Sequence, residues 1–340
     1  MKTTVVWILL LLIISTFNQC AAGNTLLLPC DLFEISNTPC VAAHSVIRAL
    51  YSTYNGPLYT IQRLSDNART DIYVISKGSH ANSAMQDKFC ANNDCRIVKI
   101  FDQSNRANHL SLAPPGGAYP HEDIGVNATK GKTTINGTTV YGAYFEGKMG
   151  YRNDNTSGIA INDESETIYM VVDGTHFNNG CCFDYGNAET DAHDDGKGTM
   201  EAVYFGSSTG WGRGTGHGPW IMADLENGLW AGNEKVNPSN PSIQSTKIVH
   251  AMLKGKSGGS FALKGGDAND KNSFKTLYDG PRPPNYNPMK KQGAIILGIG
   301  GDNSDWAIGT FYEGCMTQGI SSDETDQAIH ENIVSVMYGK

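Results

Sequence analysis

Two stretches of this 340-residue chain place carboxylates at the ends of apolar runs, beside glycines. The first reads Gly218-Pro-Trp-Ile-Met-Ala-Asp224-Leu-Glu226-Asn227-Gly228, and the second Ala294-Ile-Ile-Leu-Gly-Ile-Gly-Gly301-Asp302-Asn303. Residues two apart on a strand share a face, so Asp224 and Glu226 are expected to project together while Leu225 packs the other way. Asp302 would be delivered from a flexible glycine turn. Hydrolysis of a glycosidic bond uses such equipment: one carboxyl group protonated to assist the leaving oxygen, one ionised to attack or to activate water. By residue type alone, a single strand-end acid is more often a turn or surface carboxylate, because Asp favours turns.

Competing chemistries leave weaker traces. There is no G-x-S-x-G elbow and no phosphate-binding P-loop. The cluster His193-Asp194-Asp195 is flanked by Gly and Asp and reads as a solvated loop, and no zinc-type ligand spacing occurs, so neither metal nor cofactor is expected. Trp211 lies in the glycine-rich run Gly206 to Gly218, where an exposed indole could stack on the apolar face of a sugar ring.

The elements that would carry these residues are mostly strands. Short β-branched and aromatic runs recur between Gly, Asn, Asp and Pro clusters: Asp71 to Ser76, Thr139 to Phe145, Thr167 to Asp173, Met200 to Phe205, Trp220 to Leu225, Lys247 to Leu253, Ser260 to Leu263, Ala294 to Ile299 and Trp306 to Tyr312. Such spacing, without helical patterns between, predicts an antiparallel two-sheet sandwich. Tyr278 to Pro288 reads as a loop. Two helices are expected at the ends. One begins at Thr38-Pro39 and carries Val41, Ile47, Leu50, Tyr51 and Tyr54 on one face; the other begins near Ser321 and Glu324, with Ile329, Ile333, Val336 and Met337 as its stripe.

Met1-Lys2, an apolar run from Val5 to Ile14 and the small-residue stretch Cys20-Ala21-Ala22 form a secretory signal peptide, expected over residues 1–22. Residues 23–340 are then expected to form one domain, soluble and extracellular. No other stretch approaches the roughly 18 apolar residues that a spanning helix needs. The net charge of −8 makes nucleic acid a poor partner, and loss of Lys2 with the signal makes the chain more acidic still. With 39 Gly, 15 Tyr and only 18% charged residues, the composition suits a loop-rich β protein with a neutral polar surface.

An oxidising compartment permits disulfides. Cys30 with Cys40, and Cys90 with Cys95, have the spacing of local staples on loops. For the adjacent Cys181 and Cys182, ordinary bridge geometry favours pairing one of them with Cys315, although spacing alone leaves this open. Sequons at Asn127, Asn136 and Asn155 lie in a Gly, Thr and Asn-rich stretch that reads as exposed loop or hairpin, and are candidate glycan acceptors.

Several long motifs, in one order, resemble the catalytic domain of the α-L-arabinofuranosidases of glycoside hydrolase family 54. They are Leu28-Pro-Cys30 to Leu58-Tyr59, Asn179-Gly-Cys181-Cys182 to Glu189, Gly198 to Phe205, Gly218 to Gly228 and Gly300-Gly-Asp302-Asn303. The resemblance implies a jelly-roll type β-sandwich and an exo-acting retaining hydrolase, taking terminal L-arabinofuranose from arabinoxylan, arabinan or their oligosaccharides. It implies Glu226 as nucleophile and Asp302 as general acid/base, with the carboxyl groups roughly 5 to 5.5 Å apart. Asp224, Asn227 and Gly301 match positions that hold the sugar hydroxyls, and Trp211 matches an aromatic wall. It implies further that Cys181 and Cys182 bond to each other and line the pocket, leaving Cys315 a free buried thiol. A monomer is expected. Family members usually carry a C-terminal arabinose-binding module, which is expected to be absent or cut away here because the chain stops at Lys340. Other readings are a sugar-binding protein without turnover, or a glycosidase specific for xylose or galactofuranose.

Overall fold

The computed structural model describes residues 27–244 and 246–340. The expected signal peptide, including Cys20, lies outside the described residues. Among the described residues, no helix is long and apolar enough to cross a membrane.

Each expected strand segment overlaps an observed strand, and together they build a two-layer antiparallel sandwich. In the first layer the long strand Ile308–Thr317 pairs with Cys40–Ser45, Thr138–Glu146 and Glu166–Phe177; Ile248–Lys256, Ser260–Asp267 and Lys275–Pro281 continue it. In the second, Trp220–Asp224, Glu201–Gly206, Asp184–Ala188, Ala294–Leu297 and Tyr151–Asn153 lie side by side. The strand Asn127–Ile135 pairs with Thr138–Glu146 of the first layer and with Cys95–Ile100, which reaches Tyr151–Asn153 of the second through Leu110–Leu112, so the layers form one network.

Alternation along the second layer sorts its side chains. Val203, Phe205, Ile221, Ala223 and Leu225 join the main core between the sheets, with Tyr169, Val171 and Leu253 of the first layer. Tyr204 and Met222 fall into a separate cluster with Cys182 on the outer face. Period-two patterning thereby gives this sheet a core face and a second face, also buried, on which a pocket can be built.

The expected helix from Thr38 is not formed. Cys40–Ser45 is a strand buried at every position, so it lacks the polar alternation that marks a half-exposed strand and its apolar run mimics a helix face. The helix lies earlier, over Pro29–Ile35, with Pro29 in its first turn and the Cys30–Cys40 disulfide holding it to that strand. The short helix Ser83–Cys90 was unanticipated; it ends at Cys90, which is bonded to Cys95. The C-terminal helix spans Asp323–Ser335, capped by Ser322 and not Ser321, whose hydroxyl bonds Asp326 and Thr167. Part of the expected loop at Tyr278 to Pro288 is strand, since Lys275–Pro281 is the edge of the first layer.

Asn136 occupies the exposed turn between Asn127–Ile135 and Thr138–Glu146, and Asn155 is exposed as well. Asn127 is half-buried, and its Oδ1 accepts from the backbone and the hydroxyl of Thr129.

Candidate active site

Trp220–Asp224 ends at Asp224, so Glu226 is not held by the strand itself. Leu225 enters the core and Glu226 adopts a φ of +97°. A non-glycine residue in that region costs about 1–3 kcal/mol and persists where surrounding structure over-determines it. Here the constraints are visible: the Leu225 amide bonds the Gly228 carbonyl at 3.1 Å and the Glu226 amide bonds Asp224 Oδ1 at 3.1 Å. The two acids do reach one cavity, as their spacing suggests, but a strained turn rather than strand pleating brings Glu226 there.

Ala294–Leu297 feeds the opposite wall. After it, Gly300 and Ser304 close a tight turn, with the Gly300 amide bonding the Ser304 carbonyl at 3.0 Å. The Ser304 amide donates to Asp302 Oδ1 at 3.0 Å, an Asx turn that orients the carboxylate. Gly301 has a spatial reason to be glycine: a Cβ there would stand 3.1 Å from Met200 Sδ and 3.4 Å from Glu226 Oε2. The Glu226 carboxylate thus packs against the residue preceding Asp302.

Glu226 and Asp302 line one cavity of about 250 Å³, together with Asp224, Asp194, Trp211, Cys181, Cys182, Gly301 and Trp306. Cys181 and Cys182 are bonded to each other across a cis peptide bond. The alternative bridge to Cys315 is not formed. Cys315 is free and buried in mid-strand, opposite Ala43 and Tyr169. Asn227 is exposed and does not line the cavity.

The site is acidic to a degree that the sequence did not suggest. Burial, then Glu189, Asp194 and Asp224, push Glu226 up to about 10. Burial raises Asp224 to about 7 and holds its neighbour Asp184 well above the usual carboxylate range, with the charge on Asp224 adding to the latter. Two neighbouring carboxylates offer only acceptors and repel each other when both are ionised, which favours protonation of one of them. Burial also raises Glu189 and Asp194. Asp194, read from sequence as part of a solvated loop, is exposed but forms part of the cavity wall.

Arg152, Asp184, Glu189 and Trp306 were not singled out from sequence. Arg152 is buried, with Nη1 on the Gly301 carbonyl at 2.6 Å and Nη2 on the Glu189 carbonyl. Its signal was faint: one arginine in a short strand. Among the described residues, two of the three clusters with metal-ligand spacing use sulfurs already in disulfides. The third, Glu189 with Asp191 and Asp195, has its two aspartates exposed and Asp195 paired with Lys197 at 2.6 Å.

The arrangement suits acid–base chemistry on a small, hydroxyl-rich molecule. Comparisons with known proteins point the same way. A family model described as "Alpha-L-arabinofuranosidase B, catalytic" matches residues 29–339. The chain is 51% identical over 327 residues to the α-L-arabinofuranosidase of Hypocrea jecorina, covering 94% of this chain and 65% of that protein. It is 50% identical to the arabinofuranosidase/β-xylosidase of Trichoderma koningii, with the same coverage. A crystal structure of an arabinofuranosidase complexed with arabinofuranosyl-α-1,2-xylobiose superposes with a TM-score of 0.88 at 50% identity, over 92% of this chain and 65% of that one. The chain therefore spans less than two thirds of the length of these relatives.

Proposed function

This chain belongs to the α-L-arabinofuranosidase B catalytic family, and from that premise we propose that it is a secreted, exo-acting α-L-arabinofuranosidase that retains anomeric configuration. The observation that carries the reading is the convergence of Glu226 and Asp302 on one small cavity walled by the Cys181–Cys182 disulfide and Trp211. Its substrates are arabinose-containing plant polysaccharides and oligosaccharides. The signal-like residues 1–22 support secretion.

In the proposed mechanism Glu226 attacks the anomeric carbon while Asp302 protonates the departing glycosidic oxygen. Asp302 then takes a proton from water, which displaces Glu226 and releases arabinose. The Asx turn at Asp302 and the strained turn at Glu226 support preorganisation of the two groups. Asp224, in the cavity wall, would accept from sugar hydroxyls, and Gly301 would give the ring close approach to backbone; Asn227, exposed outside the cavity wall, would reach the sugar only from the rim.

One observation favours exchanged roles. A general acid must be protonated, and burial, then Glu189 and Asp194, raise the Glu226 carboxyl to about 10, which favours that form. For Glu226 to act as nucleophile, the proton must pass to a neighbour in this carboxylate cluster when the sugar binds. A leaving group that needs no proton separates the assignments: the acid/base variant keeps its first step on 4-nitrophenyl glycosides, whereas the nucleophile variant does not.

The reading is tested by assaying 4-nitrophenyl α-L-arabinofuranoside beside the β-D-xyloside and the galactofuranoside. Preferential release from the arabinofuranoside is expected. Faster release from either of the others would overturn the sugar assignment, and no release from any would favour a sugar-binding protein without turnover.

A further inference from the structure

Trp306 is 53% exposed, more than Trp211 at 42%, although both line the cavity. A lone exposed aromatic is common on protein surfaces. What sets Trp306 apart is how firmly its backbone is fixed. Its amide donates to the Cys181 carbonyl at 3.2 Å, and its carbonyl accepts from Asn178 Nδ2 at 3.0 Å. The same Asn178 side chain accepts from the amides of Gly180 at 3.0 Å and Ile308 at 3.2 Å, lacing the two segments together. At Gly180 a Cβ would stand 2.7 Å from the Trp306 carbonyl oxygen, so only glycine permits this approach.

The two tryptophans belong to different sides of the cavity. Trp211 Cδ1 lies 3.2 Å from the Cβ position of Gly228, two residues beyond Glu226. Trp306 follows Asp302 by four residues and is bound to the vicinal cysteines' segment. A proton donor stands beside the oxygen that leaves, so whatever that oxygen carries emerges on the Asp302 side. The cavity of about 250 Å³ is smaller than the roughly 300 Å³ at which drug-sized pockets begin, and suits one small ring. A second ring must lie outside, where Trp306 offers an open indole.

Resting on the hydrolase reading above, we infer that Trp306 forms a leaving-group subsite, on which the pyranose ring bearing the arabinofuranose stacks its apolar face. The indole is flat and has only two torsions, and its backbone is fixed, so stacking costs little conformational entropy. Trp306 is thereby a specificity residue, favouring arabinofuranose attached to a sugar over arabinofuranose attached to a small alcohol.

The test compares wild type, Trp306→Ala and Trp306→Phe on arabinofuranosyl-α-1,2-xylobiose and on methyl α-L-arabinofuranoside. The ratio of kcat/KM for the xylobioside over the methyl glycoside should fall about tenfold in Trp306→Ala, mainly through KM, and be largely restored in Trp306→Phe. Should the alanine variant fold poorly, Trp306→Leu, apolar but not flat, should lower the ratio as well. Equal losses on both substrates, or no change in the ratio, would overturn the subsite. A wild-type protein inert toward both would instead overturn the hydrolase reading and the subsite with it.

Discussion

The carbonyl of Gly301 accepts a 2.6 Å hydrogen bond from Nη1 of the buried Arg152, whose Nη2 holds the carbonyl of Glu189. One guanidinium thus spans the turn carrying Asp302 and the strand end beside Glu226. Its third partner, Asp154, takes Nε at 2.5 Å, so each of the three guanidinium nitrogens is engaged.

Arg152→Lys should therefore lower kcat about 10²-fold, since a single ammonium cannot hold both carbonyls and a displacement near 1 Å has about that effect. KM on the methyl glycoside should change much less. A purely structural role would move melting temperature and leave kcat per folded molecule intact, which activity normalised to folded protein would reveal.

The Cys181–Cys182 bond closes a loop of one residue pair, so it adds little to the entropy difference on which disulfide stabilisation depends. It does form cavity wall, and Ser304 Oγ lies 3.8 and 3.9 Å from the two sulfurs. Replacing both cysteines with alanine should raise KM for 4-nitrophenyl α-L-arabinofuranoside about tenfold while melting temperature shifts by less than about 3 °C. A large melting shift with unchanged KM would assign the bond to stability instead.

The carboxylate cluster sets a pH dependence of stability. Burial raises Asp224 to about 7 and Glu226 to about 10, above their unfolded values of 3.8 and 4.5. Groups raised in this sense contribute stability fully present below the unfolded values and lost as pH rises through the folded ones. Melting temperature should be higher near pH 5 than near pH 8.5, by about 4 °C or more. Asp184→Asn, which removes one carboxylate from the Asp184–Asp224 pair, should flatten that slope. A melting temperature that rises toward pH 8.5 would contradict the electrostatic account.

How far the sequence revealed this site depended on the range over which each signal acts. Asp224 ends, and Asp302 closely follows, an uninterrupted apolar strand bounded by glycines, a signal local in sequence, and they were legible. The burial of Cys40–Ser45 at every position is set by neighbours distant in sequence, so the strand lost its alternation and read as a helix. Asp184 lies in a short strand, and Asp194 in a polar loop; only the fold brings them against Asp224 and Glu226. Trp306 and Arg152 matter through contacts made across more than a hundred residues, which no local pattern displays.

The division of labour between Glu226 and Asp302 can be read directly from the covalent intermediate. In Asp302→Ala, 4-nitrophenol should still leave 4-nitrophenyl α-L-arabinofuranoside, while water, lacking its base, is slow to release the sugar. Rapid acid quench, proteolysis and mass spectrometry should then find a pentosyl ester on the peptide containing Glu226. An adduct on any other residue, or a burst of 4-nitrophenol with no adduct at all, would contradict the account.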